Sequence, residues 1–234
     1  MVEVVKTLVY RISVDALFWV KSYVKLFINK ISPQEHELHI ALKIFLPENN
    51  GKYWDIGANH PRENSVTYTF YLLGWSGVTV EPIPRYVQMH KLIRKRDQQF
   101  CGVFSENIYE LLYYFIPTQY STISKLRYQE LCKQGFRERK IIKIKSLDNK
   151  DIFEEVSPKS PTFLKIDIEG SDLEFLRQLR LDVFTPRVIL VEGIFKSHEI
   201  SNLITSFGYS PVKNTYVQGN IFVHESYLNG QHQQ

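Results

Sequence analysis

Four short apolar runs, each closing on or beside an acid, constrain this chain more than any other feature: KYWDI at 52–56, GVTVE at 77–81, TFLKIDI at 162–168 and RVILVE at 187–192. Runs this continuous, too brief for helices, suit strands of a parallel sheet covered by helices on both faces. In an open sheet of that kind, ligands gather beyond the strand C-termini. Asp55, Glu81, Asp167 and Glu192 stand at such ends.

The segments between the runs fit this reading. Spacing predicts helices near 66–73 and 85–96, with FCGVF (100–104) as a third strand, so the first part reads βαβαβ. In ENSVTYTFYLLGW, Val66, Phe70 and Leu73 fall at core spacing and Tyr68 and Tyr71 read as packing, while Glu63, Ser65 and Thr67 remain candidate polar liners. The aromatic IYELLYYFI (108–116) is ambiguous, and 105–140 is the least patterned stretch, suited to specificity loops. IIKIKSL (141–147) reads as a strand. YSPVKNT and NIFVHE read as an antiparallel pair turned through Gln218, Gly219 and Asn220.

Ahead of the sheet, Ser32, Pro33 and Glu35 fit the cap, first position and capping-box partner of a helix running to about Leu46. Residues 2–31 are apolar but broken by Lys6, Arg11, Lys21, Lys25 and Lys30, and the longest pure apolar run, Ala16 to Val20, is too short to span a bilayer. This stretch reads as a helix packed on the domain or on a second subunit, with peripheral contact to a membrane surface as the alternative. The organisation is one domain, 51–226, behind a helical extension, 1–50, and ahead of a polar tail, 227–234.

Charge and cysteines narrow the class. The chain carries 29 basic and 25 acidic residues, a balance that implies no nucleic-acid partner. Cys101 and Cys132 lack metal-type spacing and no signal-peptide pattern opens the chain, so a reduced cytoplasmic setting is expected, with the inner face of a membrane as its variant.

After the first strand come Asp55, Gly57 and Asn59. Asn59 stands where a dinucleotide fingerprint has its second glycine, which disfavours a pyrophosphate cradle. Glu81 ends the second strand 24 residues after Gly57, where an acid accepts hydrogen bonds from ribose hydroxyls. A glycine turn without a phosphate cradle, paired with a ribose acid, points to a nucleoside ligand without phosphates, a description S-adenosylmethionine fits.

DIGANHPRENSVTYTFYLLGWSGVTVEPIP, SLDNKDIFEE, FLKIDIEGSDLEFL, RVILVEG and the closing NIFVHE together resemble FkbM-type S-adenosylmethionine-dependent methyltransferases. The resemblance implies an α/β class I methyltransferase fold: a Rossmann-like, seven-stranded, mostly parallel sheet with one antiparallel strand, helices on both faces and, here, added N-terminal helices. It implies O-methylation of a sugar, glycan or secondary-metabolite hydroxyl. Carried over, Asp55, Gly57 and Asn59 line the methionine part of the cofactor, Glu81 the ribose, and Ser105 and Glu106 the adenine edge, although FCGVFSEN departs from the usual strand-three turn.

Asp167 and Glu169 lie where the methyl group is expected. Two close carboxylates could orient an acceptor, share a proton or hold a divalent ion. A sugar hydroxyl needs a base as it attacks; the candidates are Asp167, Glu169, His60 and His198, with Glu192 as helper. Magnesium on Asp167 and Glu192 is a weak option, since an acid pair alone is no metal signature. The competing readings are a nucleoside-binding or membrane-associated module without methyl transfer, and a nicotinamide-dependent oxidoreductase. The acceptor is a small molecule or glycan, and a homo-oligomer is compatible with the sequence.

Overall fold

The structure, a computed structural model, describes residues 2–26, 33–147, 161–192, 197–212 and 220–228; for 2–13 and 33–36 it describes the backbone alone. Ser32, the Glu35 side chain, most of SLDNKDIFEE, and Gln218 and Gly219 of the expected closing turn lie outside the described residues.

The main sheet has seven strands: β1 (Lys52–Ile56), β2 (Ser76–Glu81), β3 (Gln98–Cys101), β7 (Phe163–Ile166), β8 (Val188–Val191), β9 (Tyr209–Pro211) and β10 (Asn220–His224). Their order is β3-β2-β1-β7-β8-β10-β9. β10 runs antiparallel to both its neighbours, while the pairings from β3 through β8 are parallel. This is the class I methyltransferase arrangement, with the strand order reversing between β1 and β7, and such a switch point opens a crevice beyond the strand ends.

Period-two alternation sorts each strand between two cores. Trp54, Ile56, Leu164, Ile166, Ile189 and Val191 pack on one face, under α6 (Asp172–Gln178) and α7 (Ser197–Thr205). Tyr53, Phe163, Val188 and Leu190 pack on the other, under α2 (Pro33–Lys43) and α3 (Val66–Leu72). Val66 and Phe70 are core as expected and Tyr68 and Tyr71 are buried packing, whereas Leu73 is 37% exposed just past the end of α3.

The expected strand FCGVF is broken in two. Phe100 and Cys101 finish β3, and Val103–Phe104 form β4 in a separate three-stranded sheet ordered β4-β6-β5, with β5 at Tyr109–Tyr114 and β6 at Lys140–Leu147. Gly102 makes the crossing. A Cβ there would lie 2.7 Å from Leu147 Cγ and 2.9 Å from the Lys145 carbonyl, so the two sheets pack too closely for a side chain. The ambiguous IYELLYYFI is therefore β5, paired antiparallel to β6 with Leu112 opposite Ile142. α5 (Lys125–Lys133) lies between them in the chain, capped by the Ser124 hydroxyl, which accepts from Arg127 N.

A third apolar cluster joins this insert to α4 (Pro84–Ile93) and to α1 (Val2–Lys25): Trp19, Leu26, Tyr86 and Met89 pack with Leu112, Tyr114 and Ile144. The chain's described end is a short α8 (Glu225–Leu228).

Candidate active site

The cleft lies past the C-terminal ends of β1, β2 and β7, with about 670 Å³ of open space. Gly57, Asn59, Glu81, Asp167 and Glu169 line it, and Thr118, Ser121 and Thr122 close it from the segment between β5 and α5.

Gly57 begins the turn at φ 82°, a left-handed conformation. A Cβ there would sit 1.8 Å from the Asp167 carbonyl oxygen, so only glycine lets the turn pass over β7. The Gly57 and Ala58 amides both donate to the Val80 carbonyl at 3.0 Å, and the Asn59 amide donates to Glu81 Oε2 at 2.8 Å. Glu81 Oε1 accepts from Ile83 N at 2.8 Å. Burial pushes the Glu81 carboxyl up to about 7, against the two amides that favour its charge. Each oxygen retains a further acceptor site, which suits a pair of donating hydroxyls.

Asp55, expected to line the cofactor, is 1% exposed and is not among the cleft residues. Register explains its burial: Asp55 lies directly opposite Lys165 across β1 and β7, on the face covered by α2 and α3. Lys165 Nζ is 3.4 Å from Asp55 Oδ1, 3.6 Å from Asp167 Oδ2 and 4.0 Å from Glu192 Oε1. It also donates to the Gly57 carbonyl at 3.0 Å. The Thr67 hydroxyl donates to Asp55 Oδ2, and Arg94 Nη1 stands 3.8 Å from the same atom. Burial alone would raise the Asp55 carboxyl, but Lys165, Arg94 and Thr67 bring it below its ordinary value. Burial likewise works against the Lys165 charge, and Asp55, Asp167 and Glu192 overcome it. Asp55 thus supports the turn from behind.

Arg94 completes that support. It is fully buried, donating from Nε to the Pro61 carbonyl at 2.9 Å, from Nη1 to Thr67 Oγ1 at 2.8 Å and from Nη2 to the Ser65 hydroxyl. Ser65 and Thr67 are therefore internal partners of Arg94 rather than liners, and Glu63 pairs with Lys25.

His60 is corrected in the same way. It is 3% exposed, its Nδ1 accepts from Arg62 N and Glu63 N at 3.1 and 2.9 Å, and its Nε2 donates to the Ser22 carbonyl at 2.9 Å. Both ring nitrogens are used, so His60 fastens α1 to the turn and is not placed to take a proton from an acceptor. His198 is exposed on α7 and is not among the cleft residues.

Ser105 and Glu106 do not reach the cleft either. Ser105 donates to Glu110 Oε1, Glu106 is exposed, and the wall at that end is Gly102, Val103 and Phe104. The break at Gly102 turns the chain into the second sheet before Ser105, which is why a turn expected directly after strand three is displaced.

Asp167 and Glu169 remain together at the cleft. Glu169 has φ 48°; its carboxylate receives Arg127 Nε at 3.1 Å, and its carbonyl receives the Thr122 hydroxyl at 2.7 Å. Burial and the charge of Asp167 push its carboxyl up to about 7, with Arg127 pulling the other way. For a divalent ion on Asp167 and Glu192 the setting is unfavourable, because the Lys165 ammonium already approaches both carboxylates. Among the described residues no group of three or more His, Cys, Asp or Glu could hold a metal. Lys165 and Arg127 were not singled out from the sequence: Lys165 lies inside an apolar strand, and Arg127 falls in 105–140, the least patterned stretch.

The profile of the family described as "Methyltransferase FkbM domain" matches residues 55–211, more than half of the chain. The chain belongs to the FkbM methyltransferase family. The match begins at Asp55 and spans the cleft's carboxylates, the insert and β9. No curated protein matches the methyltransferase. Among solved structures, it is similar to a Burkholderia thailandensis 1,6-didemethyltoxoflavin-N1-methyltransferase with bound 1,6-didemethyltoxoflavin and S-adenosylhomocysteine, at 10% identity and TM-score 0.43, covering 93% of this chain and 86% of that one. It is also similar to a Bacillus cereus O-methyltransferase in complex with S-adenosylhomocysteine, at 12% identity and TM-score 0.44, covering 89% and 88%. A third likeness is to an Aquifex aeolicus SAM-dependent methyltransferase, at 11% identity and TM-score 0.37, covering 82% and 92%. The strand order, rather than these likenesses, carries the fold assignment.

Proposed function

We propose that this methyltransferase acts on a hydroxyl oxygen of a sugar, glycan or other hydroxylated metabolite, with Glu169 as the base. S-adenosylmethionine is the cofactor that membership of the family implies, and the cleft fits it. The turn at Gly57 has no room for a side chain, Glu81 offers acceptor sites suited to ribose hydroxyls, and both line the cleft beyond the strand ends. Gly57, Asn59 and Glu81 would hold it. When bound, the cofactor supplies an electrophilic methyl carbon.

The observation that carries the choice of oxygen is the setting of Glu169. A hydroxyl is a poor nucleophile near neutral pH unless a positioned base takes its proton as it attacks, and a base titrating near the working pH does this best. Glu169 lines the cleft, its carboxyl is pushed up to about 7 by burial and the charge of Asp167, and Arg127 holds it in place. The Glu169 carboxylate would take the proton of the acceptor hydroxyl, and the cofactor would supply the methyl from its sulfonium, which would leave as the neutral thioether S-adenosylhomocysteine. Asp167, beside it, accepts a hydrogen bond from the acceptor, and Thr118 and Ser121 line the cleft from the segment between β5 and α5.

Calorimetry of the purified protein with S-adenosylmethionine, S-adenosylhomocysteine and, as control, NAD tests the binding half: both sulfur ligands bind and NAD does not. Transfer of labelled methyl to a panel of hydroxylated and amine acceptors tests the rest. Label confined to amine products would reject the oxygen assignment while leaving the cofactor assignment standing.

A further inference from the structure

The C-terminal half of α1 is apolar on two sides. Trp19 and Leu26 are buried, at 8% and 1% exposure, with the Trp19 ring 5.1 Å from that of Tyr86. On the opposite side Leu17, Val20 and Val24, spaced i, i+3, i+7, are 54%, 59% and 51% exposed. The domain covers the first of these sides and leaves the second open. α4 runs alongside and leaves a shallow groove lined by Val20, Tyr23, Val24, Arg85 and Gln88. It extends the apolar ridge with Leu92, 60% exposed.

The charges around this ridge have one sign. Lys21, Arg85, Lys91 and Lys95 are exposed on α1, α4 and the turn that follows. Asp15 is the only acid within residues 14–26 and 84–96, and it pairs with Arg139 at 3.3 Å. The nearby Glu63 pairs with Lys25. Two copies of the chain meeting by this face would set like charges against one another, whereas anionic headgroups complement it. No helix among the described residues is long and apolar enough to cross a membrane, so the ridge can lie on a bilayer but not span it.

We propose that the face formed by α1 and α4 docks on an anionic lipid surface. Leu17, Val20, Val24 and Leu92 enter the acyl boundary, Tyr23 sits at headgroup level, and Lys21, Arg85 and Lys95 extend their stems along the ridge to place their charges among phosphates. The docked helix is tied to the cofactor turn, because the Ser22 carbonyl holds His60 and Lys25 holds Glu63. The proposal does not rest on the methyl-transfer reading.

Sedimentation of the full chain with vesicles of phosphatidylcholine alone, or mixed with phosphatidylglycerol, provides the test. Binding to the anionic vesicles is expected to exceed binding to the neutral ones by at least about tenfold at low salt and to weaken as salt rises. The double variant Val20→Asp/Val24→Asp changes only exposed positions and should abolish binding with an unchanged melting temperature. Lys21→Glu/Lys95→Glu should weaken anionic binding by about tenfold or more, since each basic residue near the surface contributes to the attraction. Absence of binding to anionic vesicles, or binding that survives both double variants, overturns the proposal. So does a dimer, seen by sedimentation velocity, that Val20→Asp/Val24→Asp dissolves in a protein that ignores vesicles, because the ridge would then belong to a second copy.

Discussion

Two clusters of charge flank the end of β7, and burial has opposite consequences in them. On the core side, Asp55 is sealed between Lys165, Arg94 and Thr67, and its carboxyl is brought below the ordinary range. On the cleft side, Glu169 shares its neighbourhood with Asp167 and one arginine, and its carboxyl is pushed up to about 7. Both lose water. The difference lies in the neighbours: two cations and a hydroxyl lock a carboxylate in its charged form, whereas a like charge makes protonation easy. The first arrangement fixes a shape and the second can exchange a proton near neutral pH.

Removing the cation of the closed cluster should have the largest effect. Lys165→Met leaves Asp55 without its nearest partner and releases the Gly57 carbonyl, and breaking a buried pair of this kind costs about 3 kcal/mol or more. For a chain of this size, thermal denaturation should show a melting temperature lower by about 6–12 °C. An unchanged melting temperature with lost activity would move Lys165 from support of the turn into the chemistry of the cleft.

The open cluster should respond in rate. Glu169→Gln keeps the shape but cannot take a proton, so kcat should fall by about a hundredfold or more with the melting temperature nearly unchanged. In the unaltered enzyme the rate should rise with pH through about 7, as Glu169 loses its proton and becomes a base, and the variant should lose that rise. Steady-state rates between pH 5.5 and 8.5 measure both. A pH profile that persists in Glu169→Gln would assign the titration to another group.

These two clusters were not equally legible in the sequence. Asp167 and Glu169 could be found because they end an apolar run, where parallel sheets place ligands. The partners that decide their behaviour could not. Lys165 sits inside FLKIDI, where a lysine reads as a solvated strand face, and its carbonyl partner Gly57 is 108 residues away. Arg94 falls near the end of the helix expected over 85–96, between Lys95 and the apolar Ile93, with nothing in that spacing to mark it for the core, yet it is fully buried. His60 follows the glycine turn and looks available, but a segment far earlier in the chain, Ser22, claims one ring nitrogen. The main sheet was readable from continuous apolar strands. The small sheet was not, because β5 mixes buried and exposed aromatics and becomes regular only beside β6: Tyr109, Leu111 and Tyr113 face Lys145, Lys143 and Ile141 across the ladder.

Glu81 lies between the two types. It is 4% exposed like Asp55, yet lines the cleft and is raised to about 7 like Glu169. Glu81→Gln preserves size but puts an amide group where an oxygen accepts from Asn59 or Ile83. Calorimetry should show S-adenosylhomocysteine binding weaker by about tenfold, the order expected for one charged hydrogen bond. Unchanged affinity would detach Glu81 from the cofactor and leave it as a brace for the turn.

The same variant should sharpen the pH dependence of stability, by the smallest effect. Glu81 binds its proton more tightly folded than unfolded, so its contribution grows as pH falls from above 7 towards 4.5. His90, fully buried with Nε2 on the Asn59 carbonyl, is lowered from 6.5 to about 3 by burial and the charge of Arg94, and His60 is lowered by burial too. Those histidines stay neutral in the fold while the unfolded chain takes up protons, so their contribution is present above 6.5 and is lost as pH falls below it. In the unaltered protein the two trends oppose each other between pH 6.5 and 5.5. Glu81→Gln removes one of the compensating contributions and leaves that of Glu169, and its stability, measured by urea denaturation, should fall over that interval by about 1 kcal/mol more than that of the parent. Parallel curves for the two proteins would mean that Glu81 keeps its charge in the fold through this range, held by the two amides more strongly than burial opposes it.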